Sequence, residues 1–141
     1  VELAEQPVLN GLTHEVPPYA IGDGARLLAD TADHYPTGTV FLAVVDPGVG
    51  SDRKAMVARS KRGQWFVLPD NGLVTLVAER QGLAGARAIT NPRWMRATGR
   101  SSTFHGRDVF APVAARLARG DAWTEGGHLD AVHRVCLGFA L

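Results

Sequence analysis

The chain has 141 residues, which at ~100 to 200 residues per domain allows one domain and excludes a two-domain enzyme within it. Its composition, 45% hydrophobic and 21% charged, is that of an ordinary globular protein and excludes a disordered tail or a collagen-like fibre. The formal net charge of +1 provides no field of one sign to hold a polyanion, which argues against nucleic acid as a partner.

The single Cys136 cannot form an intrachain disulfide, and no Cys/His spacing suggests structural zinc, which fits a reducing, cytoplasmic setting. No apolar run reaches the ~18 residues that would span a bilayer, so no membrane partner is expected. In chain order, residues 8–12 read as extended. Residues 20–33 carry Ile21, Ala25, Leu28 and Ala32 at spacings of four, three and four before Pro36, the stripe of an amphipathic helix. Residues 39–45 form an unbroken apolar run ended by Asp46-Pro47-Gly48, the pattern of a strand buried on both faces and central in its sheet.

Residues 55–60 and 64–68 flank Lys61-Arg62-Gly63, a turn suited to a hairpin. The spacing then predicts a helix over 73–81 stopped by Gly82, a short strand over 86–90, and a last helix over 108–119 with Pro112 in its first turn and Gly120 at its end. This order predicts one α/β domain over 1–141 with a mostly parallel sheet flanked by helices.

In such a sheet the ligand crevice lies beyond the carboxyl ends of the strands. Asp46-Pro47-Gly48-Val49-Gly50 places a carboxylate after the apolar run, then glycines that let backbone approach a ligand, with Arg53 seven residues on. For Asp-Pro-Gly taken alone the commoner reading is a tight turn whose Asp46 caps its own backbone and whose Arg53 is solvated. Pro69-Asp70-Asn71-Gly72 reads as a turn with Asp70 or Asn71 capping the next helix. The densest polar cluster, Ser101 to Asp108, precedes a helix whose free N–H groups favour polar ligands, and His105 there can move a proton near neutral pH. Its bland alternative is a capping segment with Arg107 and Asp108 as surface charge and His105 packed. His14, His128 and His133 form no metal spacing. Tyr19, stiffened by Pro17-Pro18, can stack on a flat ligand or pack in the core.

Taken together, Thr13-His14-Glu15-Val16-Pro17-Pro18, the run from Gly38 through Val45-Asp46-Pro47-Gly48-Val49-Gly50 to Arg53, Pro69-Asp70-Asn71-Gly72-Leu73, and Ser102-Thr103-Phe104-His105-Gly106-Arg107-Asp108 with Phe110 to Ala114 resemble one family. It is that of the S-adenosyl-L-methionine hydroxide adenosyltransferases, the hydrolases related to fluorinase and chlorinase. The resemblance implies hydrolysis of S-adenosylmethionine to adenosine and methionine, with no cofactor or metal. It assigns water handling to Asp46, Arg53 and His105, and substrate contacts to Tyr19, Pro47, Val49 and Gly106. Because the halogenating relatives do not keep this Asp and His, it implies water rather than halide as nucleophile. It further implies that the chain corresponds to most of an N-terminal domain, without the family's first strand and its sheet-rich C-terminal domain, and that the full-length protein is a homotrimer. The alternative is a nucleoside-binding or assembly module without catalysis.

Overall fold

A computed structural model of the chain describes residues 20–45, 54–96 and 106–120. The first element, α1 (Ile21–Ala32), buries Gly24, Ala25, Leu28, Ala29 and Ala32, the stripe that its apolar spacing predicts. Four strands follow: β1 (Val40–Leu42), β2 (Ala55–Ser60), β3 (Trp65–Pro69) and β4 (Leu83–Ala88), with α2 (Thr75–Gln81) between β3 and β4. A 3-10 turn (Pro92–Trp94) and a π-helical turn (Gly106–Phe110) precede α3 (Ala111–Arg119). Pro112 lies in the first turn of α3, and Gly120 ends it in the left-handed conformation at φ 98°, where a glycine meets no steric cost.

The sheet has the order β1-β3-β2-β4. β1 runs parallel to β3, whereas β2 is antiparallel to both β3 and β4. The class is α/β, but the sheet is mixed rather than mostly parallel. The cause is the hairpin that the sequence itself announces. Gly63 at φ 86° turns β2 directly back into β3, and two strands joined by so short a link run antiparallel. The α2 crossover then carries the chain past β2, so β4 is parallel to β3 but hydrogen-bonded to β2.

Alternate residues of the two inner strands feed two cores, as the period-2 pleat requires. On one face Met56, Ala58, Phe66 and Leu68 pack with Leu28, Ala29 and Ala32 of α1 and with Leu73, Val74 and Val77. Phe41 joins them and stacks on Phe66 at 5.2 Å. On the other face Val57 and Val67 pack with Ile89, Trp94, Val109, Phe110, Val113 and Leu117. The result is a sheet with α1 and α2 on one side and α3 on the other.

The described residues give the run 39–45 one strand neighbour, β3. Among the described residues β1 is an edge strand, with Phe41 buried but Leu42 and Val44 48% and 43% exposed. The strand buried on both faces is β3, where Phe66, Val67 and Leu68 are each fully buried. Apolarity on both faces shows that a strand can be covered twice, not which neighbours cover it. The second core reaches Val40, while Leu42 and Val44 extend past it on the same pleat face. The strand predicted over 8–12 lies outside the described residues.

Candidate active site

β1 and β3 run parallel, and β4 shares their direction because both β3 and β4 are antiparallel to β2. Their carboxyl ends therefore meet at one edge of the sheet, the place where an open α/β sheet forms its ligand crevice. β2 starts at this same edge, with Ala55 opposite Pro69 and Met56 opposite Ala88. The chain arrives there through Val45 and Lys54, the residues that flank 46–53, and through the turn 70–72.

These pieces are tied to one another. The Asp70 N–H donates to the Lys54 carbonyl at 2.7 Å, and the Ile89 N–H to the Ala55 carbonyl at 2.8 Å. Asn71 donates from Nδ2 to the Val45 carbonyl at 2.8 Å, while its Oδ1 accepts from the Leu73 N–H at 3.3 Å. The turn needs Gly72, which sits at φ 100°. Val45 is also held through its side chain. A Cβ built on Gly24 of α1 would lie 3.1 Å from Val45 Cγ2 and 3.0 Å from Leu73 Cδ2, so the glycine lets the helix approach Val45 without a shift of either side chain.

A second tie joins Arg96 to Asp108. The Arg96 N–H donates to the Asp108 carbonyl at 2.8 Å, and Arg96 Nη1 lies 3.3 Å from Asp108 Oδ1. Asp108 is fully buried, which corrects the alternative that makes it surface charge. A buried carboxylate needs a partner of opposite charge, and the partner lies twelve residues earlier in the chain, beyond any local pattern.

Asp46, Arg53, His105, Tyr19, Pro47 and Val49 lie outside the described residues. Gly106 is the first residue of the π-helical turn before α3. The expected capping of α2 by Asp70 or Asn71 does not occur, since α2 starts at Thr75 with Val74 as its N-cap. Asn71 is used across the chain instead, and that role was missed in the sequence because its partner is 26 residues away. The only local signal was the Asp-Asn-Gly tripeptide, whose side chains favour bonds to nearby backbone. Among the described residues no group of three or more His, Cys, Asp or Glu comes together, and no helix is long and apolar enough to cross a membrane.

Comparison with known proteins places this arrangement. The chain is 48% identical over 117 residues to the (R)-S-adenosyl-L-methionine hydrolase of Salinispora arenicola, covering 82% of this chain and 44% of that one. It is 40% identical over 124 residues to the enzyme of the same name from Methanocaldococcus jannaschii, covering 88% and 45%. A fluorinase of Actinoplanes is more distant, at 29% identity over 138 residues, covering 82% and 46%. The crystal structure of an uncharacterized conserved protein from Thermotoga maritima superposes with a TM-score of 0.89 at 42% identity, over 92% of this chain and 50% of that one. The chain thus spans about half the length of the relatives it matches. Residues 2–127 match the family described as the SAM hydroxide adenosyltransferase N-terminal domain, and the chain belongs to that family.

Proposed function

We propose that the protein carrying this chain hydrolyses S-adenosyl-L-methionine to adenosine and L-methionine, acting on the (R) epimer at sulfur that its relatives' names specify. The observation that carries this reading is the 40–48% identity to hydrolases against 29% to a fluorinase, together with the presence of Asp46, Arg53 and His105 in matched motifs. The described edge supports it. Val45 and Lys54, which bracket the segment bearing Asp46 and Arg53, are bonded to one turn at the carboxyl ends of parallel strands.

The chemistry asks for these groups. Water is a poor nucleophile toward ribose C5′, and it must attack opposite the sulfonium. Arg53 stabilises hydroxide character on the attacking oxygen, Asp46 orients Arg53 and the water, and His105 accepts the proton. The new O–C5′ bond forms as the C5′–S bond breaks, and its electron pair neutralises the sulfonium to the thioether of methionine. One proton is released for each turnover. In this reading Tyr19 stacks on the nucleoside, and Pro47, Val49 and Gly106 line the substrate.

The test is to incubate the protein, at its full encoded length, with each separated sulfonium epimer and to follow adenosine and methionine by chromatography. Conversion of the (R) epimer is expected. A 5′-halo-adenosine formed in chloride, or binding of the nucleoside with no turnover of either epimer, would overturn the reading.

A further inference from the structure

We propose that Asn71 is a positioning residue for Asp46, an inference that rests on the hydrolase reading above. The Asn71 Nδ2 amide donates to the Val45 carbonyl at 2.8 Å. That carbonyl belongs to the peptide unit whose nitrogen is Asp46's own. A peptide unit is planar, so a hydrogen bond to its oxygen also orients the N–Cα bond from which Asp46 departs.

The clamp is itself braced. Asn71 Oδ1 accepts from the Leu73 N–H at 3.3 Å, which fixes the amide plane, and the Leu73 side chain is fully buried. On the other side of the bond, Val45 Cγ2 rests against Gly24 of α1, where an added Cβ would lie at a tight 3.1 Å. The residue before Asn71 secures the opposite end of the same segment, through the Asp70 N–H to the Lys54 carbonyl at 2.7 Å. Two consecutive residues of one turn thus hold the entry and the exit of 46–53, the segment that carries both Asp46 and Arg53. An Asn is required because the site needs a donor toward Val45 and an acceptor toward Leu73 on one short side chain.

Asn71→Asp separates the two bonds, since the carboxylate still accepts from Leu73 but cannot donate to Val45. Asn71→Ser is an uncharged second variant that keeps the local turn and loses the reach. Hydrogen exchange read by mass spectrometry tests the clamp without reference to turnover. Both variants should speed exchange in peptides covering 43–53 by ~10-fold or more while the core strands keep their protection. Unchanged exchange there, or a rise shared by the whole core, would overturn the proposal.

Kinetics of the full-length protein test its link to Asp46. Misplacement of a reacting group by a fraction of an ångström lowers kcat, so a loss of ~10-fold or more with KM nearly unchanged is expected. Added to Asp46→Asn, either variant should cost less than about 2-fold further, because residues acting through one another are not additive. An equal loss in both backgrounds would overturn the positioning role. Failure of the unsubstituted protein to turn over either epimer would overturn the hydrolase reading alone, with the exchange result still deciding the clamp.

Discussion

Asp46, Arg53 and His105 are the residues on which the proposed chemistry depends. Asp46→Asn or His105→Ala should lower turnover by ~10² or more without loss of the folded state, as expected of acid-base groups, and steady-state rates beside a circular dichroism spectrum check both halves of the statement. Arg53→Lys should also lose most activity, because an ammonium keeps the charge without the planar fork that faces a carboxylate and a water together. The residue most exposed to a structural test is Gln64. It is fully buried, and its Nε2 donates to the Ala32 and Tyr35 carbonyls, both at 2.8 Å, while its Oε1 accepts from Gln81 at 3.0 Å. Gln64→Leu should cost on the order of 2 kcal/mol in a urea titration, since buried partners then lose their bonds. Residues of this kind mark the limit of what the sequence shows. Asp46, Arg53 and His105 could be named because each lies in a contiguous motif. Gln64, Asn71 and Asp108 each act through a partner 12 to 32 residues away, and the residues beside them in the chain do not reveal that partner.

The elements were more legible than the sheet that they build. The stripe Ile21, Ala25, Leu28, Ala32 located α1, and the Lys61-Arg62-Gly63 turn located the hairpin. Both signals are local. The misread feature was a pairing: β2 runs antiparallel to both of its neighbours and makes the sheet mixed. Periodicity reports which faces of a strand are apolar and carries no information on which strand lies alongside. At the hairpin the glycine requirement can be tested against a control. Gly63 has φ 86°, and a Cβ there would lie 2.7 Å from Thr37 Cγ2, whereas Gly120 has φ 98° with no atom of the described residues within 4 Å. Gly120→Ala should therefore cost only the left-handed penalty of ~1 to 2 kcal/mol. Gly63→Ala should cost distinctly more, because the clash adds to that penalty. Equal shifts in the two denaturation midpoints would contradict the packing described for this turn.

For the whole molecule, the edge of β1 that no described strand covers carries the main consequence. Leu42 of β1 and Val44 just beyond it are exposed apolar residues, and no described strand pairs with the outer edge of β1; such an edge invites cover. As the family resemblance implies, we propose that the full-length protein is a homotrimer and that this edge lies at its interface. Light scattering should then give three times the monomer mass, and Leu42→Lys should reduce it; a monomer with the native side chain in place would contradict the assembly. The central claim is that water is the nucleophile at C5′, and it is tested most directly by turnover of (R)-S-adenosyl-L-methionine in ¹⁸O-labelled water. The account predicts adenosine carrying the label on its 5′ oxygen, with unlabelled methionine released in equal amount. Adenosine without the label, or a 5′-halogenated nucleoside formed in its place, would contradict it.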